Sequence, residues 1–381
     1  MYICKVFHKS TTMKRVFFLL SALLLAGVVS AQHRPNSEKT WAWLDFQRPE
    51  GVNPVLSPDM NSLFYCPMQK KAVAWEGSDT FNPAATVMNG RIVVLYRAED
   101  HSGEGIGKRT SRIGFASSED GIHFDRAAAP VLYPGGDEME KFDCPGGCED
   151  PRVCKSKEGL YVMLYTSWNR QVPRLCVATS RDLVKWEKHG PAFAKAYEGR
   201  FANIASKSAS VITEVKNGEQ TIVKMKGKYW MFWGEYFVNV ATSENLIDWT
   251  PMLDEKGELL RCMSPREGYF DSMLTECGPP AILTKKGILL FYNGKNRSGE
   301  KGDTHFATNS YCAGQALFSK KDPTQLLDRL DSPFFWPQAS FEKSGQYPDG
   351  TVFVEGLVPF QGKWFLYYGC ADSRVSVAVY Q

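Results

Sequence analysis

The chain has 381 residues, 43% hydrophobic, 13% aromatic and 23% charged, with a formal net charge of +3. Aromatic and apolar residues spread along the whole length exclude a disordered chain or a low-complexity fibre, and the length suffices for one large core. The small positive balance sits in the first 31 residues, so it gives no ground for a nucleic-acid or anionic-membrane partner.

Lys14 and Arg15 precede an apolar run over residues 16–29, and Ser30 and Ala31 follow it. A basic start, a short apolar stretch and a small-residue end are the layout of a secretory signal peptide. The run is too short for a membrane span. Residues 1–31 are therefore expected to be a signal, with 1–12 an upstream extension before Met13. Residues 32–381 are expected to form one exported domain, periplasmic or secreted. Without the signal, 41 basic residues stand against 42 acidic ones. Ten cysteines fall to nine. Among these only Cys144 and Cys148 form a tight pair; a disulfide is one reading there and buried thiols the other. No second close pair and no histidine spacing offers a zinc site, and no metal or cofactor is expected.

The remainder reads as strands. Five runs, each opened by a glycine, lie at 90–96 (GRIVVLY), 159–165 (GLYVMLY), 227–233 (GKYWMFW), 287–292 (GILLFY) and 362–368 (GKWFLYY). Short β-branched and aromatic runs after a turn residue are buried strands. A second pattern trails the first at 116–124 (ASSEDGIHF), 178–186 (ATSRDLVKW) and 241–249 (ATSENLIDW), with a degenerate copy at 316–322. A third precedes the first, around Asn82-Pro83, Asp150-Pro151, Gly278-Pro279 and Pro348-Asp349. A four-stranded unit recurring about every 60 residues predicts an all-β fold, a five-bladed β-propeller. Each glycine-opened run should then be the second strand of its blade. The third pattern would line the innermost strands, sending Asn82, Glu149, Asp150, Arg152, Glu276 and Asp349 into one funnel.

Carboxylates are the conspicuous reagents: Asp150, Glu235, Glu276 and Asp372, interleaved with Trp and Tyr. Two carboxyl groups across a cleft suit glycoside cleavage, one protonating the leaving oxygen and one activating the nucleophile. Aromatic faces take sugar rings, while Asn and Arg side chains hydrogen-bond the hydroxyls. The sequence has no His-Glu-x-x-His motif and no Gly-x-Ser-x-Gly elbow.

At these residues the chain resembles glycoside hydrolase family 130, the β-mannoside phosphorylases and β-1,2-mannosidases. The matching pieces are FNPAA at 81–85, LYRAED at 95–100, SRIGFA at 111–116, EDPRV at 149–153, GPPAI at 278–282 and YYGCAD at 367–372. The resemblance implies a five-bladed propeller with Asp150 as general acid, acting in some members through a sugar hydroxyl. Asn82, Arg97 and Asp372 would hold the mannosyl unit, with Arg152 a further substrate contact. Lys207 stands where the phosphorylases gather basic residues around phosphate, and the rest of that cluster is not matched. Glu235 and Glu276 resemble the water-activating glutamates of the hydrolytic branch, either of which could be the base. The expectation is thus an exported, inverting β-mannosidase acting on mannoside oligosaccharides, most of all β-1,2-linked ones. A phosphorylase of the same fold and a non-catalytic carbohydrate-binding propeller are the alternatives.

Overall fold

The computed structural model describes residues 36–381. The expected signal, residues 1–31, lies outside them. The described chain is all-β: its one α-helix, α1 (Glu140–Asp143), has four residues. Among the described residues no helix is long and apolar enough to cross a membrane.

A hairpin, β1 (Asp59–Cys66) and β2 (Lys71–Glu76), leads into five antiparallel runs. The first is β3 (Asp79–Met88), β4 (Arg91–Glu99), β5 (Ser111–Ser118) and β6 (Asp125–Arg126). The second is β7 (Gly147–Lys155), β8 (Tyr161–Trp168), β9 (Pro173–Ser180) and β10 (Glu187–Pro191). The third is built on β11 (Ala209–Lys216), with β12 (Glu219–Ile222) and β13 (Lys224–Met225) at its side. It continues through β14 (Lys228–Trp233), β15 (Val238–Ser243), β16 (Trp249–Pro251) and β17 (Arg261–Met263). In the fourth, β18 (Leu274–Cys277) and β19 (Ala281–Leu283) share the neighbour β20 (Ile288–Lys295), followed by β21 (Tyr311–Phe318) and β22 (Leu326–Arg329). The fifth is β23 (Val352–Phe360), β24 (Lys363–Cys370) and β25 (Arg374–Tyr380). Its outer edge is covered by the N-terminal segment, through bridges from Gln47 to Val379 and from Leu56 to Val375.

The glycine-opened sequences are β4, β8, β14, β20 and β24, and each is second in its run, as expected. The reason their central positions are apolar or aromatic is that both faces are buried there. In β20, Ile288, Leu290 and Tyr292 enter one core while Leu289 and Phe291 enter another. In β8, Val162 and Leu164 pack with the third run, and Tyr161, Met163 and Tyr165 with the first. Five such cores fill the spaces between successive runs, and the last of them joins β23–β25 back to β3–β5. Side chains alternating across a strand at period two explain how one run serves two cores.

The second repeat is a turn. Ser118, Ser180 and Ser243 each accept a backbone N–H three residues on, from Gly121, Leu183 and Leu246. Asp120, Asp182 and Asn245 accept the next two N–H groups. Side-chain oxygens thus replace ladder partners where each strand ends. The nine described cysteines are all free thiols, so Cys144 and Cys148 do not form the disulfide that their spacing allowed.

Candidate active site

Two inner strands carry an extra residue. The register of β3 against β4 shifts between Phe81 and Pro83, and that of β7 against β8 between Glu149 and Arg152. Asn82 and Asp150 occupy these bulges, each with φ of 47°. Bulges re-aim a side chain, and Asn and Asp tolerate the left-handed region better than other residues with a Cβ. Asp372, just after β24, has φ of 50°. Left-handed backbone at three polar residues around one cavity is the strain pattern of functional sites. Glycine at 369 belongs to this arrangement, because a Cβ there would collide with the Asn82 side chain.

These residues line a cavity of about 270 Å³. Asn82, Arg97, Asp150, Lys207, Glu235, Glu276 and Asp372 all reach it, as the sequence reading expected. Arg152 does not. It is 1% exposed, pairs with Glu355 at 2.7 Å, and donates to the carbonyls of Asp150 (3.0 Å) and Cys277 (2.8 Å). Its expected contact with substrate is replaced by a structural one, tying the Asp150 bulge to the strand that bears Glu276. Asp349 is exposed and lies off the cavity wall.

Asp150 is the centre of an ion network. One carboxylate oxygen accepts from Asn82 Nδ2 at 2.9 Å and Arg97 at 3.1 Å, and the other faces Lys207 Nζ at 3.1 Å. Lys207 Nζ is also 3.1 Å from Glu276, whose same oxygen accepts from Ser208 Oγ at 2.5 Å. Arg97 continues to Glu99 at 2.6 Å and Glu149 at 2.8 Å. Glu235 lies within this field without a direct ion pair, at the turn following Gly234. The N–H of Gly234 donates to the carbonyls of Lys207 and Ser208, and its carbonyl accepts from Cys277 N, so one residue ties all three segments together. Gly234 has φ of 123°, and a Cβ there would run into the carbonyl of Phe237.

Five carboxylates and two cations line the cavity. Burial would raise the pKa of Asp150, but Lys207, Arg97 and Arg152 outweigh it and hold the carboxyl far below its usual range. The neighbours respond in the opposite sense. Burial pushes Glu149 up to about 7 against the pull of Arg97, helped by Asp150 and Glu99. Asp372 is pushed up to about 7, again by burial first. Glu235 is raised by burial, with Glu276 and Asp150 adding to the effect and Lys207 opposing it. Glu149 and Asp372 thus stay protonated to a higher pH than ordinary carboxyls, beside an ionised Asp150.

A stability prediction follows from the sign. Glu149 and Asp372 start from 4.5 and 3.8 and rise to about 7 on folding. The unfolded chain therefore ionises them first, and their contribution to stability, complete below about pH 4, disappears as pH rises through 7. The melting temperature is expected to fall by several degrees between pH 5 and 8. Asp372→Asn should flatten that decline; an unchanged slope in the variant would refute the assignment.

Several lining residues were not singled out from sequence. Trp168, Tyr311, Tyr347 and Phe353 form an aromatic wall, with Tyr311 5.4 Å from Tyr347 and 5.7 Å from Phe353. Tyr347 and Phe353 flank the third repeat pattern, where attention fell on Asp349 instead. Ser208 carried no spacing signal at all.

Comparison with known proteins agrees with this geometry. The family model for glycoside hydrolase 130, described as beta-1,4-mannooligosaccharide phosphorylase, matches residues 49–381. The chain belongs to glycoside hydrolase family 130. A 1,2-beta-oligomannan phosphorylase of Thermoanaerobacter sp. (strain X514) is 31% identical over 317 residues, 82% of this chain and 93% of that one. A putative glycosidase from Bacteroides thetaiotaomicron VPI-5482 is 67% identical, with a TM-score of 0.89 over 89% of this chain and 97% of that one. Another family 130 structure is 61% identical, TM-score 0.89, covering 90% of this chain and 95% of that one. It is described under the statement that the family of mannoside phosphorylases contains glycoside hydrolases that target beta-1,2 mannosidic linkages in Candida mannan. The site residues of this family 130 chain therefore sit in an enzyme family that acts on β-mannosides.

Proposed function

We propose that this family 130 chain is an exported hydrolase that cleaves β-mannosides, β-1,2-linked ones above all, with inversion at the anomeric carbon. The observation that carries hydrolysis over phosphorolysis is the charge of the cavity. Its two cations are already committed, Lys207 to Asp150 and Glu276, and Arg97 to Asp150, Glu149 and Glu99. A phosphate dianion entering beside Glu235 would meet that carboxylate while both lining cations are already paired, whereas water would meet no such repulsion. A phosphorylase is the second reading, favoured by the descriptions of the more distant relatives such as the 31% identical one.

In the proposed mechanism Asp150 delivers the proton to the glycosidic oxygen. Asp150 rests ionised beside Lys207 and Arg97, so it takes up its proton as substrate binds, and it passes that proton on through a sugar hydroxyl, as the family resemblance implies. Asn82, Arg97 and Asp372 would hold the mannosyl ring against the aromatic wall. Glu235 is proposed as the base. Among the described residues no group hydrogen-bonds its carboxylate, and its raised pKa moves it toward the neutral range where general bases work best. Glu276 is engaged by Ser208 and Lys207, and Lys207 bridges it to Asp150 at 3.1 Å on each side, so their nearest oxygens lie less than about 6.5 Å apart, the lower limit for inverting pairs.

The five runs are proposed as blades of a five-bladed propeller. What supports this is the cyclic order of the five cores and the seating of Gly356 in β23 against Pro83 and Ala85 in β3. Export is proposed from the signal-like layout of residues 1–31. Incubating the protein with β-1,2-mannobiose, with and without inorganic phosphate, tests the reaction. Mannose alone at an unchanged rate in both is expected; mannose 1-phosphate formed only with phosphate would establish the phosphorylase instead.

A further inference from the structure

A second and larger cavity, about 650 Å³, adjoins the catalytic one, and Pro173, Lys207 and Glu235 belong to the walls of both. Its far side is made by the turn after β14 and by the loop between β16 and β17. That loop is pinned as a hairpin by the bridge from Leu253 to Leu259 and by Asp254, which accepts the N–H groups of Lys256 and Glu258. Two features of this groove bear on what it binds. Tyr236, the residue after Glu235, is 56% exposed, an uncovered aromatic side chain among the residues lining the larger cavity. Arg261 sits over the Phe237 ring, its guanidinium carbon 4.0 Å from the ring centre. This cation–π contact holds the guanidinium at the groove wall.

The charges lining the groove are of both signs: Glu235, Asp254 and Glu258 against Lys207 and Arg261. Such a wall discriminates against a ligand of either net charge. It suits a neutral polyhydroxy chain, whose hydroxyls donate to carboxylates and accept from a guanidinium while its C–H faces lie on aromatic rings. The sizes agree. The catalytic cavity alone falls just below the roughly 300–1,000 Å³ of small-molecule sites, and the two joined fall within it.

Resting on the hydrolase reading above, we propose that this groove is an oligosaccharide-binding extension of the active site. It takes sugar units beyond the disaccharide at the cleaved bond, with Tyr236 and Arg261 as its principal contacts. The enzyme is then tuned to mannoside chains longer than two units.

The test compares kcat/KM on β-1,2-linked mannobiose, mannotriose and mannotetraose for the wild type, Arg261→Ala and Arg261→Gln. Arg261 is exposed, and melting temperatures of both variants check that the fold is kept. The wild type is expected to favour the triose or tetraose over the biose by about tenfold, the scale of one added polar contact of ~1.4 kcal/mol. Both variants should bring that ratio close to one. A wild-type ratio already near one, with mannobiose cleaved, would overturn the groove and leave the hydrolase reading standing. A tenfold ratio that both variants retain would overturn the groove as well, since the preference would then arise elsewhere. Failure to cleave any of the three substrates would remove the hydrolase reading and the groove proposal with it.

Discussion

Replacing Asp150 by Asn is expected to lower kcat on an unactivated β-mannoside by about 10²–10⁴-fold, the usual weight of general acid–base help, with little change in KM. The amide keeps the shape of the side chain, and its oxygen can still accept from Asn82 and Arg97, which now both bond the same carboxylate oxygen. Its nitrogen would face Lys207 Nζ, donor against donor, so Lys207 should shift toward Glu276, its other partner at 3.1 Å. Substrate binding should survive because the mannosyl contacts proposed for Asn82, Arg97 and Asp372 remain. An aryl mannoside with a good leaving group needs little protonation and should recover part of the lost rate. Relay through a sugar hydroxyl would make that recovery incomplete. Near-wild-type turnover of Asp150→Asn on the unactivated substrate would end the case for Asp150 as the acid.

The second large effect separates the two glutamates. Glu235→Gln is expected to lose about 10²–10⁴-fold in kcat, with no recovery on an activated substrate, because water activation and not leaving-group departure is impaired. Glu276→Gln removes a partner of Lys207 and Ser208 instead. Its cost should be smaller, roughly 10–100-fold, the scale of one charged hydrogen bond, and should be divided between kcat and KM. Single-turnover and steady-state measurements on both variants decide the matter. A severe loss in Glu276→Gln beside a mild one in Glu235→Gln would transfer the base role to Glu276.

Much of the architecture was legible because burial on both faces leaves a strong trace. A strand such as β20, whose residues 288–292 alternate between two cores, has to be apolar or aromatic at each of those positions, and a glycine turn before it marks its start. The serine-led turns were legible for a similar reason: a hydroxyl and a carboxylate must stand at fixed offsets to satisfy the backbone that the ladder abandons. The convergence of Asn82 and Asp150 followed from their shared place before a proline, although the bulges that aim them left no trace beyond that.

What was not legible depends on direction and on neighbours distant in sequence. Arg152 stands two residues from Asp150 and reads as a partner for substrate, yet its side chain turns inward to Glu355, some two hundred positions away. Only the packing of β23 against β7 decides that. The protonation pattern was hidden likewise. Asp150 and Glu149 are adjacent in sequence, and their opposite displacements arise because Lys207 reaches one while burial dominates the other. The aromatic wall draws on strands of the second, fourth and fifth runs and on the loop before β23, and no local spacing predicts such a gathering.

The N-terminal segment that pairs with β25 sets the order in which the molecule can be finished. Gln47 meets Val379 and Leu56 meets Val375, partners separated by more than three hundred positions. Asn53 adds side-chain bonds to both the N–H and the carbonyl of Val377. During synthesis residues 47 and 56 must wait for partners more than three hundred positions later to emerge. Contacts of such long range come at a large loop-closure cost and form late. Until then the outer edge of β25 is bare, an open template for a strand from another chain. Shortening the chain by its last ten residues would remove Asp372 from the site and the docking edge for residues 47–56 together. Assembly of the catalytic pocket and protection against intermolecular pairing are thus completed by the same closing event.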